Sequence, residues 1–173
     1  MLLNKTTLFS LATCLVSIYA ESAPEYHNNP RVVAQAGFPS YGKNKKFQGF
    51  VKFFSTDGKV KVHVDVTKLP KRRGPFYYHI HDKPIPESGD CEAAGTHFNP
   101  YKASPDCAAF PTDDLCQVGD LSGKHGWIDT TCFEQSYIDP YLSLDAKDPG
   151  YFVGKSVVFH YKKKLKKFAC ANI

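Results

Sequence analysis

Histidines are the residues of this chain best suited to chemistry, and two of them stand one residue apart in His79-Ile80-His81. On an extended strand, residues two apart project to the same side, separated by roughly 7 Å of backbone. Both imidazoles can then converge on one ion while Ile80 points into a core. Such a pair also arises on exposed strands without any metal, so a site needs further donors. His97, in the Gly-, Asn- and Pro-punctuated GTHFNPY, and His160, which ends the apolar run SVVFHY, are candidates to complete a four-nitrogen shell. An all-imidazole shell without a thiolate suits Cu(II) or Zn(II), and ligand softness does not separate the two. Spacing alone does not bring four distant histidines together.

The elements that must position these rings read as strands. The strongest periodicity runs from Gly49 to Val66, FVKFFS and KVKVHVDV around a Thr56-Asp57-Gly58 turn, and predicts a β-hairpin. Val60, Val62, Val64 and Val66 share one face, which puts Lys61, His63 and Asp65 on the other and leaves His63 solvent-exposed and without a task. Further strands are expected at 31–38, 76–81, 155–161 and 165–171. The tract from 81 to 155, heavy in Pro, Gly, Asp and Cys, reads as mostly loop, and ordered loops that long carry function or are stapled. No segment shows a long helical period. Many short strands, one hairpin and long connections predict an all-β antiparallel sandwich or Greek-key barrel.

At 173 residues the chain suits one domain. Its first twenty residues carry Lys5, then an apolar stretch from Leu8 to Ala20, and small residues at Ala20 and Ala23, the layout of a secretory signal peptide. The apolar run, about 13 residues, falls short of the roughly 20 that span a bilayer. Residues 21–173 are then the mature domain, soluble, with no hydrophobic anchoring tail after Cys170 of the kind that precedes a GPI anchor. Cys14 leaves with the leader, and Cys91, Cys107, Cys116, Cys132 and Cys170 remain. In an oxidising compartment an odd count implies two bridges and one thiol left over or paired between chains. The formal charge is +5, with basic clusters at 71–73 and 162–167. The second cluster admits a nucleic-acid reading, a solvated edge face, or attraction of a small anion; a secreted address argues against nucleic acid.

Several motifs in order, HIHDKPIPESGDC (79–91), GTHFNPY (95–101), GDLSGKHG (119–126), GKSVVFHY (154–161) and FACANI (168–173), resemble the copper-only branch of the Cu/Zn superoxide dismutase family found in fungi. The resemblance covers most of the chain from about residue 30. It implies an immunoglobulin-like Greek-key fold with long disulfide-stapled loops. It also implies one copper per chain held by His79, His81, His97 and His160, and dismutation of the superoxide anion outside the cell or in its wall. The chain is expected to be a monomer that neither binds nucleic acid nor inserts in a membrane. It places a disulfide on Cys91 and Cys170, worth roughly 4 kcal/mol in the chain-entropy model for a loop of about 80 residues. Cys107, Cys116 and Cys132 compete for the other bridge.

Against the zinc-containing members, only Asp120 matches a zinc position. Gln117 replaces a histidine, and an amide is a poor zinc ligand, so no zinc is expected. Asp120 is expected either to orient the second nitrogen of His97 or to cap a turn before Leu121, with Gln117 making a weaker version of the same contact. Only nine residues, YKKKLKKFA, separate His160 from Cys170 in place of the family's long charged loop, which implies an open, solvent-facing metal. Lys167 stands where the family carries an anion-contacting arginine; it keeps the charge and loses the planar fork. The other reading on this scaffold is a copper-binding or buffering protein without turnover. His125 is expected to be a surface or turn-stabilising residue, and His27 to lie in a mobile mature N-terminus.

Overall fold

The computed structural model describes residues 21–39 and 46–173; the apolar leader expected at 1–20 lies outside them. Two antiparallel sheets face one another. One carries β1 (Val33–Phe38), β2 (Gln48–Thr56), β3 (Lys59–Thr67) and β5 (Cys132–Asp139) in the order β1-β2-β3-β5, and the other carries β4 (Phe76–His81), β6 (Ser156–Tyr161) and β7 (Lys167–Asn172) in the order β4-β6-β7. The chain crosses between sheets after β3, β4 and β5, which is the all-β Greek-key sandwich expected from the sequence.

The β2–β3 hairpin pairs Thr56 with Lys59 around Asp57 and Gly58, both at positive φ (51° and 77°). An Asp-Gly pair suits this, because a two-residue turn with both central residues left-handed matches the twist of the flanking strands. Val60, Val62, Val64 and Val66 are fully buried, and they meet Tyr78, Ile80, Val157 and Phe159 of the opposite sheet in one core. An edge-to-face aromatic cluster, Phe38, Phe47, Phe159 and Phe168, fills its centre.

The tract 81–155 is mostly loop, as expected, but it also holds β5, an edge strand with exposed Glu134, Ser136 and Ile138, and a short helix α1 (Leu121–His125) that the sequence pattern did not place. The alternation in β5 is blurred because its inward positions are only partly covered. Two histidines differ from expectation. His63 does lie on the outer face of β3, but its Nδ1 is 2.8 Å from the Ser136 hydroxyl and its ring packs on Phe50. His125 is not a surface residue; it stacks on Tyr137 (3.8 Å between centroids) and its Nε2 lies 3.0 Å from the buried Asp139 carboxylate. No helix among the described residues is long and apolar enough to cross a membrane.

Candidate metal centre

In β4, Phe76, Tyr78 and Ile80 face the core between the sheets, so the period of two sends Tyr77, His79 and His81 to the outer face. There two loops and a helix cover them. His81 forms an isolated antiparallel bridge with His97, and His160 pairs with Tyr77 across β4 and β6. Ring centroids lie 4.0 Å apart for His79–His97, 4.8 Å for His79–His160, 5.0 Å for His81–His97 and 5.2 Å for His81–His160. One nitrogen from each of the four rings lies within 4.8 Å of the others.

Which nitrogen each ring offers is decided by what its other nitrogen does. His81 Nδ1–H donates to the Gly95 carbonyl (2.9 Å), His160 Nδ1–H to the Leu165 carbonyl (2.7 Å) and His97 Nδ1–H to Gln117 Oε1 (2.9 Å). All three acceptors are oxygens without a hydrogen to give, so the tautomers are fixed and each Nε2 is left as a bare lone pair. His79 is reversed. Its Nε2 sits 3.1 Å from Ser122 Oγ and 3.3 Å from Asp120 Oδ1, while its Nδ1 is the one buried side-chain polar atom among the described residues with no partner. His81 Nε2 and His160 Nε2 stand 3.1 Å apart. With both Nδ1 protons committed elsewhere, two lone pairs face each other there, an arrangement that a shared cation relieves.

Burial holds the rings neutral, the state a metal needs. It pushes His79 well below the usual imidazole range, His81 down to about 3 and His160 down to about 4, with neighbouring rings adding to the effect. His97 is lowered by burial too, opposed by its bonds to Gln117 and the charge of Asp120. His79, His81 and His160 are 2–3% exposed. His97 is the one half-buried ring of the four.

Local sequence explains how the loops are held. Gly119 sits so close to β4 that a Cβ there would lie 2.4 Å from the Ile80 carbonyl; its own carbonyl accepts from Ile80 N–H (2.9 Å) and its N–H donates to Phe98 (2.8 Å). A glycine thus stitches both the Gln117 and the His97 loops to the histidine strand. Asp120 caps α1 through Gly123 N–H (2.8 Å), where any side chain at 123 would collide with the carboxylate. Of the two roles open to Asp120, capping is the one seen; Gln117, not Asp120, binds His97. Lys124 of α1 forms an ion pair of 2.6 Å with Asp139 at the end of β5, both side chains without solvent exposure, and this fixes Ser122 against His79 and Tyr78 N–H (3.2 Å). Cys91–Cys170 ties the short turn before Gly95 to β7, Cys107–Cys116 closes the second loop, and Cys132 is a free exposed thiol. Lys167 Nζ donates to the carbonyls of Gly95 (3.3 Å) and Glu92 (3.4 Å) beside the histidines. Sequence reasoning missed Ser122, Lys124, Asp139 and the carbonyls of Gly95 and Leu165; backbone acceptors leave no signal in side-chain identity.

A sandwich that turns four imidazoles, each with one tethered and one bare nitrogen, toward a single point defines a histidine-ligated metalloprotein. The chain belongs to the family described as copper/zinc superoxide dismutase (SODC), whose model matches residues 47–171. It is similar to the Candida albicans protein named cell surface superoxide dismutase (Cu-Zn) 6, at 57% identity over 162 residues, 92% of this chain and 51% of that one. It is also similar to the protein named cell surface Cu-only superoxide dismutase 5 of the same organism, at 37% identity over 168 residues, 96% of this chain and 71% of the relative. A solved structure of Candida albicans superoxide dismutase 5 with Cu(II) superposes with a TM-score of 0.75 at 37% identity, covering 83% of this chain and 91% of that one. The chain spans about half the length of the first two curated relatives it matches, 51% and 53%.

Proposed function

We propose that this chain is an extracellular or cell-wall superoxide dismutase that works with one copper ion and no zinc. The observation that carries the reading is the set of four bare ring nitrogens, Nδ1 of His79 and Nε2 of His81, His97 and His160, in a chain of this family. Names of relatives on the cell surface support the location. Held by His79, His81, His97 and His160, copper would supply the one-electron couple by which one superoxide is oxidised to dioxygen and a second, with two protons, is reduced to hydrogen peroxide. The protein's own work is positional and electrostatic. Three neutral oxygens and the Ser122–Asp120 pair hold the rings in the ligating tautomer. Lys167 keeps a positive charge beside them, which favours approach of an anion. The Nδ1 of His97, which would have to face a second metal, is occupied by the Gln117 amide, and this supports a zinc-free centre.

One observation favours the second reading, a copper-binding protein with little turnover: the Lys167 ammonium is spent on two carbonyls and on Glu92 (3.6 Å). The test is to load the purified protein with copper and zinc, count each metal, and follow superoxide removal beside His79→Ala, His160→Ala. One copper, no zinc and activity lost in the variant is the expected result. Copper without superoxide removal selects the second reading, and absence of copper binding refutes both.

A further inference from the structure

Away from the histidines, the β3–β4 connection and the β6–β7 turn wall an open groove of about 640 Å³. Its charged lining is Arg72, Arg73, Lys162, Lys163, Lys164 and Lys166, with no carboxylate; Asp129 lies next to Gly74 in an adjoining hollow that Arg72 also lines, without pairing with it. Among the described residues none of these six cations makes an ion pair or a side-chain hydrogen bond; they share that with surface lysines such as Lys52, Lys61 and Lys147, and what sets them apart is that they crowd one hollow. Six unneutralised cations around one hollow repel each other, and the backbone adds to that cost: Arg72, Lys164 and Leu165 have φ of 58°, 60° and 46°, a region that non-glycine residues rarely adopt. A cleft lined by one sign of charge focuses its field and concentrates ligands of the opposite sign.

The groove's remaining chemistry narrows that ligand. Its aromatic residue, Tyr161, has Arg73 over the ring at 5.5 Å and packs on Phe168 (4.6 Å) and Phe76 (6.0 Å), so no free ring face is offered to a nucleic-acid base. The only exposed large apolar side chain on these two segments is Leu165, too little for a protein hot spot or for an amphipathic face on a bilayer. What is left is recognition by charge and N–H donors alone. The adjacent Arg72 and Arg73 carry planar forks suited to tetrahedral oxyanions, and phosphate monoesters carry about one and a half to two charges each at neutral pH.

We propose that this groove docks an anionic polysaccharide whose sugars carry phosphate esters, anchoring the protein to a polymer outside the metal site. The inference stands on the groove alone and does not require copper. It is tested with the purified, copper-loaded protein on immobilised phosphorylated dextran, with unmodified dextran, dextran sulfate of equal group density, single-stranded DNA and phosphatidylserine vesicles alongside. Phosphorylated dextran is expected to bind most tightly and unmodified dextran not at all, with affinity falling steeply as salt rises. The variant Lys162→Gln, Lys163→Gln, Lys164→Gln should lose about tenfold or more in affinity and flatten the logarithmic salt dependence by about two units. Lys52→Gln, Lys61→Gln, Lys147→Gln removes the same charge elsewhere and should change binding by less than about threefold; thermal melting confirms that both variants fold. Equal loss in the two variants, or no loss in the first, overturns the groove. Tighter binding of DNA, vesicles or dextran sulfate overturns the phosphorylated glycan as occupant.

Discussion

Replacing Lys124 by Met removes one partner of an ion pair that water cannot reach. Asp139 accepts from Lys124 (2.6 Å), from His125 (3.0 Å) and, through Oδ1, from Tyr141 N–H (3.1 Å). Burial by itself would raise its carboxyl, but the charge of Lys124 and the bond and charge of His125 outweigh it and hold the group at about 2, against 3.8 for a free aspartate. A carboxylate depressed by that much contributes about 2 kcal/mol to stability. The contribution is complete above pH 3.8 and disappears as pH falls through about 2. In Lys124→Met the buried charge is left to His125, and truncating one side of a buried pair costs about 3 kcal/mol, or roughly 10 °C in Tm for a chain of this size. With Lys124 gone, burial is opposed by His125 and the Asp139 carboxyl rises, so the deficit relative to the parent is largest at neutral pH and shrinks as the group takes up its proton. Paired urea titrations of metal-free parent and variant between pH 7 and pH 3 measure this difference directly, with the contributions of His79, His81 and His160 common to both. A deficit below about 1 kcal/mol at pH 7, or one that does not narrow on acidification, refutes the reasoning. Because α1 carries Ser122 and Asp120 to His79, copper retention against a competing chelator should weaken in the same variant.

Gln117→Ala frees Nδ1 of His97; copper affinity or superoxide removal should fall about 10- to 100-fold by chelator competition and turnover assays, and Gln117→Glu should restore the contact. Gly119→Ala drives a methyl into the Ile80 carbonyl, so the expected outcome is a destabilisation of at least about 2 kcal/mol in urea, with copper loading impaired. Metal-free protein should lose stability as pH falls from about 6.5 toward 4. His81 and His160 stay neutral when folded (about 3 and about 4) but protonate in the unfolded chain near 6.5, so acid favours unfolding; a Tm series from pH 7 to pH 4.5 that stays flat contradicts it.

Much of this was legible in the residues. The alternation in KVKVHVDV and the Asp-Gly turn specify the hairpin, and the spacing of His79 and His81 specifies a shared face, because strand period is a local property. His97 and His160 were legible as candidate ligands, but that they meet His79 and His81, like the Cys91–Cys170 bridge, was reached only by resemblance, since nothing local says that segments 80 residues apart meet. The edge strand β5 escaped notice because its partly covered positions blur the pattern. The role of Asp120 lay open between two contacts until the distances to Gly123 and to His97's real partner, Gln117, were known. Carbonyls such as Gly95 and Leu165, which fix two tautomers, are invisible in any sequence because every residue has one.

The two sheets carry unequal loads. β3 buries one face and leaves the other half-covered, while β5 exposes one face and half-covers the other, so their outward positions are packed less tightly than their inward ones. β4 and β6 are buried on both faces, one against the core and one against the histidines and the disulfide. Mutational tolerance should therefore be asymmetric within a single small domain. Lineages of this chain can rewrite the outer surface of the four-stranded sheet freely, while the three-stranded sheet is nearly frozen, which makes the former the natural place for new surface properties to evolve.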